Sequence, residues 1–175
     1  METQKVSTKK FAINNGLLLG LLSVIIGVVM YVTNMHLEQS PINMILGTAI
    51  TVGVLVYAFN QFKKASVGFM SLGQALKLGM GIILISTIIG VIWNFVLMNV
   101  IEPTMLEQMQ ELQMEKMIES NPDMPQSQID AAKEMSAKFS SPAIVAAFQI
   151  ALGLIFGFIL TLITGLVMKR NNPNA

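Results

Sequence analysis

The sequence predicts an all-α integral membrane protein with four transmembrane helices and an extracytoplasmic helical hairpin between the third and the fourth. Charged residues make up only 12% of the 175 residues, about half the usual share in a soluble domain. Four apolar stretches reach the roughly 20 residues that a helix needs to cross a bilayer. These spans cover about residues 11–33, 42–60, 75–101 and 143–168 of a single membrane domain, and residues 102–142 form an acidic insertion.

The first span follows a basic leader that contains Lys5, Lys9 and Lys10. A basic leader also precedes secretory signal peptides. The apolar run of the first span is longer than the apolar region of a signal peptide, however, and no cleavage site with small residues follows it. We therefore expect an uncleaved first helix.

The distribution of positive charge predicts the orientation of the chain. Eight of the eleven basic residues flank the spans on one side: Lys5, Lys9, Lys10, Lys63, Lys64, Lys77, Lys169 and Arg170. The turn 34–41 has no basic residue, and residues 102–142 have three lysines among eight acidic residues. Because basic residues stay on the cytoplasmic side, we expect an inner-membrane protein with both termini in the cytoplasm.

Small residues recur at helical spacing in every span. Helices in lipid associate through close backbone approach at such residues, so we expect helix packing at Gly16, Gly20, Gly27, Gly47, Gly79, Gly90, Gly153 and Gly157. Polar residues share these stripes: Thr51, Asn94, Gln149 and Thr161. They either form hydrogen bonds between helices or line a polar pathway, and the sequence leaves both interpretations open.

The segment before the third span has the pattern of a helix start. Ser71 and Gln74 have the spacing of a capping box, which predicts that the third helix begins near Ser71. Gly68 and Gly73 would allow tight turns here. This segment is either a loop that leads into the helix or a cytoplasmic docking surface.

The acidic insertion predicts two further helices. Thr104 and Glu107 have capping-box spacing, which predicts a helix from that point to about Asn121. Ser127 with Asp130 indicates the start of a second helix that ends at about Phe139. An apolar side on each predicted helix favours a hairpin that packs on itself, on the bundle or on another protein.

Four glutamates form a stripe on the first of these helices, because they recur every four residues: Glu107, Glu111, Glu115 and Glu119. Like charges at this spacing destabilise a helix by roughly 0.2–0.5 kcal/mol per pair. The stripe is either a solvated face or a surface for a partner. One face of a helix does not converge on a point, so we do not expect a metal site.

Composition excludes several classes of chemistry. The chain has no cysteine and a single histidine, His36, which lies near Glu38 in the turn between the first two spans. Thiol chemistry and cysteine-ligated metals are therefore excluded, and an exposed side chain explains His36. The net charge of +1 does not indicate a nucleic acid partner. No catalytic or cofactor motif is present, so we expect no enzyme and no cofactor.

Four motifs together resemble a known family. They are Asn15-Gly16, the approach Phe69 to Gly79, the segment Ile101 to Glu107, and the glycine-bearing last helix from Gly157 to Arg170. The chain resembles the bacterial domain-of-unknown-function family numbered 4199, whose members are small four-span membrane proteins. The resemblance implies the four-span fold and assigns no activity and no site residue.

Two functional hypotheses follow. Because most of the distinctive polarity lies outside the spans, we favour a non-enzymatic accessory or scaffold protein that contacts another membrane or extracytoplasmic protein, or a second copy of itself, through the acidic hairpin or residues 61–77. The alternative is a small oligomeric channel or permease that uses the polar stripes. A proton-coupled or ion-coupled transporter usually has a carboxylate or histidine at membrane depth, and these spans have neither.

Overall fold

A computed structural model describes residues 7–35 and 41–171. Lys5, His36 and Glu38, on which part of the sequence interpretation depends, lie outside these residues. The described residues form six α-helices and no strand: α1 (Thr8–Val32), α2 (Pro41–Ala65), α3 (Leu72–Val96), α4 (Met105–Ser120), α5 (Gln126–Phe139) and α6 (Pro142–Met168). A π-helical turn, Leu97–Ile101, extends α3. The predicted all-α fold is confirmed.

Four of these helices have the length and apolar composition of a membrane-crossing segment. They are α1, α2, α3 with its π-helical turn, and α6, and their lengths are 25, 25, 30 and 27 residues. The prediction of four apolar spans is confirmed, and each helix matches one predicted span. The chain forms two compact units, of which the first comprises Met1–Gly90 and Ile150–Ala175 and the second Val91–Gln149.

Within the first unit, α3 packs against α6 through a ladder of small residues. At each rung a small residue of one helix lies against a side chain of the other. The rungs are Ala75 with Gly165, Gly79 with Thr161, Ile83 with Gly157 and Thr87 with Gly153. The partners advance by four residues in opposite directions, so the two helices are antiparallel. We call this contact the α3–α6 ladder.

A second face of α3 packs against α1 in the same manner. Gly16 lies against Ile85, and a Cβ added at Gly16 would be 2.8 Å from the Cβ of Ile85. Ala12 meets Gly81 one turn earlier, and Gly20 meets Ile89 one turn later. Here the partners advance in the same direction, so α1 and α3 are parallel, and α3 contacts both α1 and α6.

The core of this unit also includes the C-terminal half of α2. Leu55, Ala58, Phe59 and Phe62 are completely or almost completely buried. Phe62 makes an edge-to-face contact with Phe11 of α1, with 5.7 Å between ring centroids. The outer faces carry large apolar side chains at the same helical spacing, such as those of Leu17, Leu21, Ile25 and Val29 on α1, which are at least half exposed. Such an apolar exterior is that of a helix in lipid.

Not every predicted packing glycine meets a neighbouring helix. Gly16, Gly20, Gly79, Gly153 and Gly157 lie at the contacts described above, whereas Gly27 and Gly90 are half-buried. Gly47 is exposed, and a Cβ added there would meet nothing within 4 Å. Its place on a small-residue stripe does not bring it to a helix contact among the described residues, because the close packing of α2 lies in its other half.

The connection between α2 and α3 confirms two predictions, the capping box and the turn at Gly68, and corrects the one for Gly73. The backbone N–H of Ser71 donates to Gln74 Oε1 at 2.8 Å, and the N–H of Gln74 donates to Ser71 Oγ at 3.3 Å. The predicted capping box is therefore confirmed. Gly68 has a positive φ of 88° and turns the chain as predicted. Gly73 lies inside α3 instead, because the capping box starts the helix before it.

The α3–α6 ladder generates a stability prediction with an internal control. A Cβ added at Gly79 would lie 2.8 Å from Thr161 Oγ1, and the branched threonine cannot move away without shifting α6. Gly79→Ala should therefore destabilise the protein by about 1–3 kcal/mol, the usual cost of overpacking. Gly47→Ala enters open space and should be neutral or slightly stabilising, because alanine favours helix. Thermal unfolding of both variants in detergent measures the difference, and equal midpoints would contradict the ladder.

Thr161 generates a second prediction. Its side chain is fully buried, and its hydroxyl has no hydrogen-bond partner among the residues that the structure describes. Thr161→Val keeps the shape that fits Gly79 and removes an unsatisfied polar group, so it should stabilise the fold by about 1 kcal/mol.

The control for Thr161 is Thr51, whose hydroxyl donates to the carbonyl oxygen of Gly47 at 2.8 Å. Thr51→Val removes a hydrogen bond that is made, so it should give no stabilisation. The same unfolding measurement compares the two valine variants. A lower midpoint for Thr161→Val than for Thr51→Val would show that the Thr161 hydroxyl is satisfied in the folded protein.

Candidate docking groove

The second unit begins at Val91 within α3, and the helix that follows the π-helical turn starts differently from the prediction. Thr104 has a helical backbone conformation and makes no cap with its side chain. Its hydroxyl instead accepts a hydrogen bond at 3.1 Å from Gln108 Nε2, which also donates to Glu102 Oε1. The predicted capping box with Glu107 is therefore wrong, because a capping side chain needs an extended backbone to reach the first amides of the helix.

Helix α5 also begins slightly earlier than predicted. Pro125 is extended and precedes the helix, which starts at Gln126. Ser127 is thus inside the first turn, and the predicted start at Ser127 lies one residue too late. Both helices end where the sequence indicates, α4 at Ser120 and α5 at Phe139. Gln110 Nε2 donates to Ser140 Oγ, which connects α4 to the end of α5.

The four predicted glutamates all line one groove on this hairpin. The groove has a volume of about 610 Å³, and Glu107, Glu111, Glu115 and Glu119 border it. Its other lining side chains, which the sequence stripe did not indicate, are Gln110, Met114 and Ile118 of α4 and Lys133 and Ser136 of α5. Four carboxylates from one face of α4 thus line the groove together with two apolar side chains and a single ammonium group. We call this the acidic groove.

The hairpin buries little of its own apolar surface. Helix α5 has no buried residue, and Met135 and Phe139 are 58% and 50% exposed. The ring of Phe139 rests edge-to-face on Phe148, with 6.1 Å between ring centroids. In α4 the one buried residue is Met105. Both helices therefore have the predicted apolar sides, but the other described residues bury these sides only in part.

The charges of the hairpin are unevenly placed. Glu134 and Lys138 of α5 form an ion pair at 2.8 Å with the favourable spacing of four residues. The glutamate stripe of α4 has no such alternation, and residues 102–142 have a net charge of −5 from eight acidic residues and three lysines. Among the described residues, no three His, Cys, Asp or Glu side chains are placed to hold a metal ion. The groove therefore carries a negative net charge beside apolar side chains.

Two of the predicted polar residues of the spans meet each other in this unit. Asn94 Nδ2 of α3 donates to Gln149 Oε1 of α6 at 3.0 Å. The pair borders a cavity of about 130 Å³ that Phe95, Met98 and Val145 also line. The other predicted polar residues, Thr51 and Thr161, lie in the first unit, where Thr51 donates to its own helix.

These features define a class of protein: a helical chain with four segments able to cross a membrane and an acidic helical hairpin between the third and the fourth. The sequence profile of one family, described as "Protein of unknown function (DUF4199)", matches residues 14–170. The chain belongs to this family, which confirms the resemblance seen in its motifs. No curated protein and no solved structure gives a significant match.

The Asn94–Gln149 hydrogen bond predicts a measurable coupling. Asn94→Ala and Gln149→Ala should each destabilise the protein, and the double variant should be less destabilised than the sum by about 1 kcal/mol, the size of such a bond between membrane helices. The control cycle pairs Gln149→Ala with Asn99→Ala. Asn99 lines the same cavity but donates to the carbonyl oxygen of Phe95, so those two effects should add. Unfolding in detergent measures both cycles, and equal coupling in the two would contradict the interhelical bond.

Proposed function

We propose that this protein is a non-enzymatic membrane-anchored docking protein whose acidic groove binds a basic amphipathic helix of a partner protein. The observation that carries the proposal is that all four stripe glutamates line one groove together with the apolar side chains of Met114 and Ile118. Its carboxylates complement lysine and arginine side chains, and Met114 and Ile118 offer contact to the apolar side of a helix. Complementary charge of this kind selects partners and raises association rates.

The energetics of the hairpin support a partner at this place. The glutamate stripe destabilises α4 through like-charge repulsion, and Ile118, which lines the groove and is 39% exposed, loses the benefit of burial. A basic amphipathic helix would relieve the repulsion. A groove that binds an amphipathic helix contacts the apolar side chains of that helix, which recur every three or four residues.

The orientation of the chain belongs to this proposal. Basic residues near the other span ends favour cytoplasmic termini in a bacterial inner membrane, so the hairpin would face the extracytoplasmic side. The partner would then be a membrane or extracytoplasmic protein. The alternative of a channel or permease has less support, because Asn94 and Gln149 bond each other and Thr51 and Ser86 bond their own helices.

Site-specific cross-linking in native membranes tests the groove. A photoreactive amino acid at Ile118, which lines the groove, should cross-link the partner, whereas the same group at Asp123 in the interhelical turn should not. We expect mass spectrometry to identify the cross-linked segment as a basic helix with apolar residues every three or four positions. A cross-linked segment of acidic or uncharged composition, or no cross-link at Ile118, would contradict the proposal.

Charge-reversal variants test how much the glutamates contribute to partner binding. Glu111→Lys with Glu115→Lys should reduce the cross-linking yield at Ile118 by about tenfold or more, since each reversed charge near the surface changes binding by roughly 1 kcal/mol. Asp123→Lys with Asp130→Lys changes the net charge of the hairpin equally outside the groove and should leave the yield near that of the unmodified chain. An equal loss in both variants would indicate a general charge effect and contradict recognition by the groove.

A further inference from the structure

The second strongly charged surface of the molecule is basic and lies in the first unit. In the described part of that unit, residues 7–35, 41–90 and 150–171, there are seven basic residues and no carboxylate. The basic residues are Lys9, Lys10, Lys63, Lys64, Lys77, Lys169 and Arg170, and no ion pair with a carboxylate is found for any of them within the described residues. Such a surface needs anions from elsewhere.

The fold gathers these residues at one level of the bundle. The amino group of Lys63, near the end of α2, donates to the carbonyl oxygen of Met168 at the end of α6, at 3.3 Å. The contact of Phe11 with Phe62 places the start of α1, with Lys10, beside the same end of α2. The starts of α1 and α3 and the ends of α2 and α6 therefore meet here.

Arg170 is held in place at this level. Its backbone N–H and carbonyl oxygen each pair with the backbone of Met70 at 2.9 Å, and Met70 is fully buried. Its guanidinium carbon lies 5.7 Å from the centre of the Phe69 ring. A guanidinium group can bind a phosphate through two parallel hydrogen bonds, and its planar shape reduces the freedom lost per hydrogen bond. Lys64 and Lys169 are exposed nearby.

Apolar side chains lie directly beside the cations. Ile163 and Val167 are one turn apart on α6, just before Lys169, and Val167 is 81% exposed. Val67, in the turn after Lys64, is 87% exposed and has a positive φ of 53°, which is strained for a β-branched residue. A free phosphate ion would leave these side chains uncovered, whereas the acyl chains of a lipid would cover them.

We propose that this basic rim, formed by Lys63, Lys64, Lys169 and Arg170, binds the phosphate of an anionic phospholipid whose acyl chains lie along Ile163 and Val167. Basic pockets between membrane helices recognise anionic headgroups through the same chemistry. This inference does not depend on the proposed docking function, because the rim and the acidic groove belong to different units and share no residue.

The test titrates the full-length protein in neutral detergent with phosphatidylglycerol and with phosphatidylcholine of the same chain length. Native mass spectrometry counts the bound lipids. We expect saturable binding of phosphatidylglycerol and much weaker binding of phosphatidylcholine, whose headgroup has no net charge. Equal binding of both lipids would overturn the proposal. Inorganic phosphate is the competitor, and full displacement of the lipid by phosphate at the same concentration would identify a free-anion site and overturn the lipid assignment.

The variants avoid the residues that hold the bundle together. Lys64→Gln with Lys169→Gln removes two exposed charges of the rim and should weaken phosphatidylglycerol binding about 25-fold, or roughly fivefold for each charge, as for basic residues near an anionic surface. The matched control is Lys116→Gln with Lys138→Gln in the hairpin, which should bind as the unmodified chain does. Arg170→Lys keeps the charge and loses the two-pronged hydrogen bonding, so it should also weaken binding. Unchanged affinity in the rim variants would overturn the proposal.

Discussion

The close approach of α3 to α6 is the constraint on which the rest of the first unit depends. Helices in lipid gain little from burying apolar surface, so they need direct backbone proximity. The ladder provides it by setting a small residue against a side chain at every rung. Moving α6 by one rung would place Thr161 against Ile83 or Ala75, and it would therefore create a clash or a void. This pairing of small residues with side chains of the other helix thus specifies both the distance and the register of the two helices.

That register has an electrostatic consequence. With Gly165 against Ala75, the end of α6 lies beside the start of α3, so that Arg170 pairs with Met70 and Lys63 reaches the carbonyl oxygen of Met168. The packing of apolar helices therefore brings cations together although they repel one another. The C-terminal carbonyl groups of α6 offset part of this repulsion through the helix dipole. Anions bound at the basic rim, as proposed above, would offset the rest.

Periodic sequence patterns were sufficient to predict the helices, and local backbone geometry explains where the predicted helix starts were wrong. The four spans, both hairpin helices and the Ser71–Gln74 cap follow from composition and spacing alone. Capping by Thr104 does not, because its backbone is helical, and α5 starts at Gln126, one residue before the predicted start at Ser127. The stripe predicted the glutamates of the groove, but Lys133 comes from α5. Its place there depends on how the two helices pair, which a single-helix pattern does not contain.

The contrast within the hairpin bears on whether the acidic groove is more than a solvated face. Solubility alone would be achieved at lower free-energy cost by alternating charges, and α5 does this with Glu134 and Lys138. Helix α4 instead repeats glutamate at the same spacing four times, next to Met114 and Ile118. Repulsion and exposed apolar surface are separate costs at one place, and a single basic amphipathic partner would remove both. Simple solvation would remove neither.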